Sequence, residues 1–301
     1  MKMKLKKCFA MVVAVGCMAA MLTACGSSQE EKTPASTSNT EAAASKETEA
    51  TSQAEGTDIM SSIKEKGVLV LGTASGYPPY EFVSVKDNGA VIGIDIELGK
   101  AIADKMGVDF KVVDMPFGEL IATLATGKCD IAIAGMPETE EKAKSVDFTE
   151  VYINDEQSII VRKDDVDKYK TLEDFKGKKI GVEKGSSCES VAQAELKDAT
   201  FVSLAKVPDI FLELKNSKID AIVIARVVGT QYIINDDTLT FANDTVAFEN
   251  KDKPCQGAVA KGNEEFLSFV NEVIKENQDN GNFDKWVEEY SKLANEQGSN
   301  S

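Results

Sequence analysis

The sequence predicts an α/β fold built from two similar lobes, and two observations lead to this prediction. First, residues 119–136 have the pattern of an amphipathic helix, a short turn at Gly127 and an apolar strand, which is typical of a parallel strand buried on both faces. Second, the same pattern returns ninety residues later, at 209–225. The matching positions are Leu124 with Leu214, Lys128 with Lys218, and Asp130 with Asp220.

The carboxyl ends of the two repeated strands, 135–142 and 225–226, are the predicted ligand site. Open α/β sheets bind ligands beyond the carboxyl ends of their strands. We therefore expect these two ends to face one another across a cleft, with Gly135 starting a turn that opens a second helix.

The composition excludes several classes of function. A formal charge of −16 argues against binding to nucleic acid or to anionic lipid. The chain contains no histidine, so it has neither a Ser-His-Asp nor a Cys-His apparatus, nor a zinc site that relies on imidazole. Neither phosphate-binding glycine motif, GxxxxGKS/T or GxGxxG, occurs in it. We expect no catalytic residue, no metal and no cofactor.

Residues 1–24 have the pattern of a secretory signal peptide, with four lysines before an apolar run from Cys8 to Leu22. This run of about fifteen residues is short for a membrane span, which needs roughly 20. The tetrapeptide Leu22–Cys25 resembles the lipobox of bacterial lipoproteins, which implies cleavage before Cys25 and lipidation of its thiol. The alternative is an ordinary secretory leader with an incidental cysteine.

Residues 25–56 are expected to be the lipidated cysteine and a disordered tether. From Gly26 to Gly56 the chain has no Val, Ile, Leu, Met or aromatic residue, so it cannot bury enough apolar surface to offset its ordering entropy. Its mean reach is on the order of 30 Å. We expect a body held at the outer face of the cell membrane, where several acyl chains would anchor it.

Three cysteines remain after this processing: Cys129, Cys188 and Cys255. An odd number argues against a complete disulfide framework. We expect buried free thiols, and the alternative is a bridge between Cys188 and Cys255.

The elements of the first lobe can be placed in order. The sequence predicts a helix at 61–66, a strand at 68–71, a non-helical loop at 72–80, hairpin strands at 81–85 and 90–94, a helix capped by Asp95 and ended by Gly107, and a strand at 108–113. The first repeated unit follows.

The second lobe begins after a crossing at 147–152. The sequence predicts a strand at 157–162, a short helix capped at Thr171, a strand at 178–182, a helix at 189–196, the second repeated unit, a return at 243–250, an apolar helix stripe at 266–274 and a final helix at 283–293. The lobes are therefore expected at 57–152 plus 249–294 and at 153–248, with a tail at 295–301. Two crossings make a hinge that suits closure around a ligand.

Six blocks of sequence resemble the solute-binding proteins of polar amino acid ABC transporters, between about Gly67 and Tyr290. They are residues 72–82 (GTASGYPPYEF), 93–107, 116–136, 142–152, 171–187 and 279–286 (DNGNFDKW). The resemblance implies a two-lobed, periplasmic-binding-protein-like type II fold. It also implies a monomer that traps one amino acid between its lobes and presents it to a membrane permease.

The resemblance implies that two aromatic residues flank the ligand side chain. They correspond to Tyr77 and Phe117, with Tyr80 beside them. The alternative for all three is packing in the core.

The ligand carboxylate is expected at the turn that follows the first repeated strand, at Ala134, Gly135 and Met136. The family places an arginine nearby, and here that position is Lys142, which keeps the charge and loses the two-pronged bond. Pro137 stands where a small hydroxyl residue is usual and removes a backbone donor. The alternative for Lys142 is a solvated helix charge.

The second lobe departs further from the family pattern. Ala225 replaces the aspartate that pairs with the ligand ammonium, and we hypothesise that Glu183 takes this role. The rival hypothesis is a ligand without an α-amino group, contacted by Arg226. The turn with Gly185, Ser186 and Ser187 is expected to donate to the carboxylate, although both serines also suit helix capping.

Two other functions are weighed against an importer component. A surface sensor or adhesin could retain the fold, and a dehydratase-like enzyme could use Glu183 as its acid or base.

Overall fold

The structure, a computed structural model, describes residues 58–234 and 236–298. The predicted leader, Cys25 and the tether lie outside these residues. The helices are α1 Ile59–Lys66, α2 Ile94–Met106, α3 Leu120–Ala125, α4 Ser187–Glu195, α5 Val207–Lys215, α6 Arg226–Ile233, α7 Glu264–Asp279 and α8 Asn282–Gly298. The strands are β1 Val68–Thr73, β2 Phe82–Val83, β3 Val91–Ile92, β4 Asp109–Asp114, β5 Ile131–Met136, β6 Val146–Phe148, β7 Ile153–Arg162, β8 Lys179–Glu183, β9 Thr200–Leu204, β10 Ala221–Ala225, β11 Leu239–Phe241 and β12 Asp252–Ala260.

The main sheet runs in the order β4-β1-β5-β12-β7-β10-β8-β9 and has two parallel ends. Strand β1 is parallel to β4 and β5, and β8 is parallel to β9 and β10. Between these ends, β7 and β12 are antiparallel to each other over Asp252–Cys255. These two strands carry the chain between the lobes. The predicted α/β fold with two lobes and two crossings is confirmed.

The repeated unit has the same local structure in both lobes. The carboxylate of Asp130 accepts from the Val70 amide (2.8 Å), and the Asp130 amide donates to the Val70 carbonyl (2.9 Å). Asp220 makes the same two bonds with Lys179, at 2.9 and 2.7 Å. Each aspartate thus joins the start of its own strand to the neighbouring parallel strand. Leu124 and Leu214 are both buried, as the helical spacing predicts.

The core runs through both lobes. Its largest cluster reaches from α1 and β1 to β10 and α6. Of the apolar stripe predicted for α7, Phe266, Val270, Val273 and Ile274 are buried and Phe269 is partly buried. Cys129, Cys188 and Cys255 are buried free thiols, in agreement with the sequence interpretation and not with its alternative bridge. Within the described part of the chain, no helix has both the length and the apolar character that crossing a bilayer requires.

The prediction that Asp95 caps α2 is wrong. The N-cap is Gly93, at φ 137°, where a Cβ would lie 2.1 Å from the Tyr80 carbonyl oxygen. Asp95 lies in the first turn with its carboxylate buried, and it accepts from the Gly135 amide (2.8 Å) and the Tyr152 hydroxyl (2.9 Å). It therefore links α2 to the ends of two strands.

The second helix predicted after Gly135 is also absent. Strand β5 continues to Met136, and only one turn of 3-10 helix follows, at Lys142–Lys144. Pro137 explains the difference, because proline has no amide donor and disfavours helical backbone in the residue before it.

The two lobes are closed against each other. The Tyr232 hydroxyl of α6 donates to the Gly76 carbonyl of the first lobe (2.7 Å). Across another part of the cleft, a Cβ built on Gly185 would lie 3.2 Å from the Gly118 Cα, so the two backbones approach closely. Several side chains between the lobes are consequently buried, among them Tyr77, Phe117 and Glu183.

Candidate functional site

The rings of Tyr77 and Phe117 are both buried in the closed molecule. Tyr77 is held by its loop, because the Tyr77 amide donates to the Glu81 carbonyl (2.8 Å). Phe117 begins the 3-10 turn before α3. Tyr80 lies behind Tyr77, with ring centroids 5.9 Å apart, and its hydroxyl donates to Asp155 (3.2 Å). The structure therefore gives Tyr80 a neighbour on the hinge strand β7.

Lys142 presents a buried ammonium without a hydrogen-bond partner among the described residues. Its nitrogen lies 5.0 Å from the centroid of the Phe117 ring. Burial, with the charge of Lys253 as a second cause, lowers the pKa of Lys142 to about 8. A buried cation of this kind is costly unless an anion joins it, so the position suits an anionic group of a ligand.

Glu183 is the last residue of β8 and is buried in the same region. Burial raises the pKa of its carboxyl to about 8, against the opposing charges of Lys253, Lys206 and Lys142. At pH 7 the carboxyl is therefore mostly protonated. A cation brought beside it would favour the charged form.

In the turn after β8, Ser186 and Ser187 differ in their hydrogen bonding. Ser186 is the N-cap of α4, and its hydroxyl accepts from the Glu189 amide (3.1 Å). The Ser187 hydroxyl is buried and has no partner among the described residues, so it remains available to a ligand. Gly185 has φ 79° and donates its amide to the Glu189 carboxylate (2.7 Å). Helix capping thus accounts for Ser186 and not for Ser187.

The predicted carboxylate turn is already occupied by the protein. Ala134 is buried inside β5, and the Gly135 amide donates to Asp95. The Gly135 carbonyl accepts from the ammonium of Lys253. Met136 lies closer to the cleft, where it lines the cavity described next.

A cavity of about 680 Å³ lies between the lobes. Residues of the first lobe that line it include Phe117, Gly118, Met136 and Lys142, and residues of the second include Gly185, Glu189, Ser190 and Gln193. Its walls therefore combine four of the residues predicted from the sequence.

Three residues near the cleft were not predicted: Glu81, Asp155 and Lys253. Lys253 lies on β12, is only 3% exposed, and holds its nitrogen 5.3 Å from the centroid of the Tyr77 ring. Asp155 lies opposite it on β7. Asp155 and Lys253 lie three residues beyond the predicted crossings, at 147–152 and 243–250, on the two strands that join the lobes. A charged residue in a strand that passes through the core is a signal that could have found these two, because charged side chains are rarely fully buried.

Glu81 and Asp95 form a pair of buried acids next to Tyr77. Burial and the nearby charge of Asp95 raise the pKa of Glu81 well above its ordinary value. Burial raises the pKa of Asp95 to about 6, although the Tyr152 hydroxyl and the Gly135 amide oppose the shift. Because both pKa values are raised, ionisation of one carboxyl group makes ionisation of the other less favourable, and the pair favours a state with a single negative charge.

The structure does not bring Arg226 to this cluster. Arg226 is exposed at the start of α6, and its guanidinium lies 4.6 Å from the centroid of the Phe241 ring. It lines a separate depression of about 360 Å³ together with Gln157, Asn243 and Lys251. Ala225, the preceding residue, ends β10 fully buried and supplies no charge.

Two lobes that are joined by two strands and that close on buried charges form a protein built to trap a small solute. Residues 69–292 match the model of the bacterial extracellular solute-binding proteins, family 3. The chain belongs to this family.

Several named binding proteins are similar to this chain. The arginine-binding extracellular protein ArtP of Bacillus subtilis is 32% identical over 223 residues, which cover 73% of this chain and 84% of ArtP. The L-cystine-binding protein TcyJ of Escherichia coli is 28% identical over 233 residues, 76% of this chain and 85% of TcyJ. The solved structure of the amino acid ABC transporter substrate-binding protein AbpA from Streptococcus pneumoniae, bound to L-arginine, has a TM-score of 0.75 and 32% identity, and covers 78% of this chain and 98% of AbpA.

All three are named as binding proteins. The comparisons therefore favour a binding protein over the sensor, the adhesin and the dehydratase-like enzyme that were weighed from the sequence.

Proposed function

We propose that this protein is the substrate-binding component of an ABC importer, and that it captures an amino acid between its lobes and delivers it to a membrane permease. The observation that carries the proposal is the ammonium of Lys142, which is buried in a closed and hinged cleft and has no hydrogen-bond partner in the described part of the chain. A charge in that position is stabilised when a ligand carboxylate arrives, and closure then removes both groups from water.

The ligand contacts follow from the chemistry of the cleft. Lys142 takes the α-carboxylate, and the free hydroxyl of Ser187 adds a hydrogen bond to it. Lysine binds the carboxylate as a point charge and not as a two-pronged fork. Glu183 faces the α-ammonium and replaces the charge that Ala225 cannot provide. Tyr77 and Phe117 enclose the ligand side chain.

The remaining organisation is part of the same proposal. Residues 57–152 with 249–294 form one lobe and residues 153–248 the other, so that opening occurs at the two crossings. Lipidation at Cys25 and the tether that follows would hold a monomer at the extracellular face of the membrane, within reach of its permease.

The proposal is tested by isothermal titration calorimetry of the full chain, purified in detergent, with the twenty amino acids. We expect at least one amino acid to bind with a stoichiometry of one. Replacement of Lys142→Met should weaken that binding by roughly 10- to 100-fold, because a hydrogen bond to a charged group is lost.

Lys144→Met provides the matched control, since Lys144 is exposed on the same 3-10 turn and should leave affinity unchanged. Binding of no amino acid would overturn the proposed function, and an unchanged affinity in Lys142→Met would remove Lys142 from the site. Recovery of a chemically altered ligand would favour an enzyme.

A further inference from the structure

Two lysines place their ammonium groups against the two aromatic rings of the cleft. The Lys142 nitrogen lies 5.0 Å from the Phe117 centroid, and the Lys253 nitrogen lies 5.3 Å from the Tyr77 centroid. Both distances fall within the range of a cation–π contact. One face of each ring, on which a cationic ligand side chain could stack, is thus already taken by a cation of the protein.

The ammonium group of Lys253 has donors that make no hydrogen bond among the described residues. An ammonium carries three donors, and the hydrogen bond that Lys253 makes among the described residues is to the Gly135 carbonyl. Two donors therefore remain for a ligand. The side chain is buried, so water in the closed molecule is a poor substitute for a partner.

Three carboxyl groups act on Lys253 without pairing with it in the described part of the chain: Glu81, Asp95 and Asp155. One oxygen of Glu81 is buried without a partner among the described residues, whereas Asp95 and Asp155 are occupied by other donors. Asp155 lies opposite Lys253 in the strand register and accepts from the Glu156 amide (2.7 Å), the Val227 amide (3.2 Å) and the Tyr80 hydroxyl (3.2 Å). It forms no ion pair with Lys253 within 4 Å in the described part of the chain. Asp95 accepts from Gly135 and Tyr152. These acids offset the charge of Lys253 from a distance and do not use its donors.

We propose that the ligand is a small dicarboxylate, specifically an amino acid with an acidic side chain, and that Lys253 is the residue that determines this specificity. The inference rests on the proposed function and deepens it. One carboxylate of the ligand binds Lys142 and the other binds Lys253, so each buried ammonium gains an anion. Glu183 faces the ligand ammonium.

A cationic side chain is excluded by the same geometry. The charge of Lys253 already lowers the pKa of Lys142, so the two ammonium groups act on each other. Arginine or lysine would bring a third positive charge beside them, and like charges repel strongly where water is excluded. Although ArtP is named as an arginine-binding protein and AbpA was solved bound to L-arginine, the inference predicts that this chain rejects arginine.

The experiment is a calorimetric titration of the full chain with L-glutamate, L-aspartate, L-glutamine, L-arginine and glutarate. We expect an acidic amino acid to bind at least about tenfold more tightly than L-glutamine, and we expect L-arginine not to compete. Lys253→Met should lower the affinity for the acidic ligand by roughly tenfold or more and reduce its preference over L-glutamine.

Lys251→Met is the matched control, since Lys251 is an exposed lysine two positions away that pairs with Glu156 (2.9 Å). It should bind as the unchanged protein does. Circular dichroism checks that the Lys253→Met variant is folded. If the variant does not fold, the ligand series measured on the unchanged protein tests the acidic-ligand specificity by itself.

The outcomes separate the two proposals. Tight binding of L-arginine, or equal binding of L-glutamate and L-glutamine, overturns the inference and leaves the proposed function in place. Binding of glutarate without any amino acid overturns both the inference and the amino acid assignment of the proposed function. Binding of none of the five ligands overturns the inference.

Discussion

At the scale of single residues, the chemistry of the cleft depends on two groups whose pKa values lie close together. Burial lowers the pKa of Lys142 to about 8 and raises that of Glu183 to about 8. The residue types were predictable from the sequence, because Lys142 and Glu183 occupy the positions that the family resemblance marks. The contact of Lys253 with Tyr77 was not predictable, because nothing in the sequence around β12 shows that this side chain reaches the ring.

The pKa of Glu183 predicts proton release when an amino acid binds at pH 7. In the ligand-free protein the carboxyl is mostly protonated, and a ligand ammonium beside it lowers its pKa, so a proton leaves. Above pH about 8 ligand binding should take up protons instead of releasing them. Glu183 is then already ionised, and the ligand carboxylate raises the pKa of Lys142, which gains a proton. Calorimetry in buffers of different ionisation enthalpy measures both effects.

Glu183→Gln is the informative variant. It should abolish the release at pH 7 and keep the uptake above pH 8, since Lys142 is still present. Loss of the Glu183 charge, which raises the pKa of Lys142, should if anything enlarge that uptake. A release of the same size in Glu183→Gln would show that another group titrates and that Glu183 does not face the ammonium.

At the scale of elements, the repeated helix–strand unit was predictable because its signals are local. Apolar spacing, Gly127 and the aspartate at the start of each strand all lie within one short stretch. The end of β5 was not predicted, because Pro137 outweighs the helix signals that follow it. The capping residue of α2 was missed for a different reason: Asp95 has a long-range partner in Gly135, and local spacing does not show such partners.

The start of α2 should be intolerant of a side chain at Gly93. A Cβ there would meet the Tyr80 carbonyl oxygen at 2.1 Å and the backbone has φ 137°, so Gly93→Ala should destabilise the protein by roughly 2–4 kcal/mol. Urea unfolding measures this loss.

Gly89→Ala is the comparison for that measurement. Gly89 also has a positive φ, 81°, but nothing lies within 4 Å of a Cβ built on it, so the cost should be only about 1 kcal/mol. Equal stability of the two variants would show that the Gly93 contact relaxes without strain.

At the scale of the whole molecule, affinity depends on how readily the lobes close. The Tyr232 hydroxyl bonds the Gly76 carbonyl across the cleft, and its ring stacks on Phe211 at 3.9 Å. The two-lobed plan was predictable from the repeat and the crossings. The closure contacts were not predictable, because they join distant parts of the chain that have no pattern in common: Tyr232 and Gly76, for example, are 156 positions apart.

Tyr232→Phe should shift the equilibrium towards the open form. Loss of one hydrogen bond is worth about 0.5–1.5 kcal/mol, so ligand affinity should fall by roughly 2- to 10-fold, mainly through faster release. Stopped-flow release rates and small-angle scattering of the ligand-free protein measure the two consequences.

Tyr290→Phe controls for the loss of a hydroxyl as such. Tyr290 donates to Glu97 (2.7 Å) within one lobe, so its removal should leave affinity and release unchanged. The closure argument fails if the two variants behave alike.

The antiparallel pairing of β7 with β12 has a mechanical consequence. Two separate linkers would let the lobes slide, twist and rock, but these strands are hydrogen-bonded to each other over Asp252–Cys255 and must bend together as one ribbon. Such a ribbon acts as a hinge that bends easily in one direction. The lobes therefore open and close along the same path. Their facing surfaces meet in the same alignment each time, and the charged side chains of the cleft return to the same neighbours.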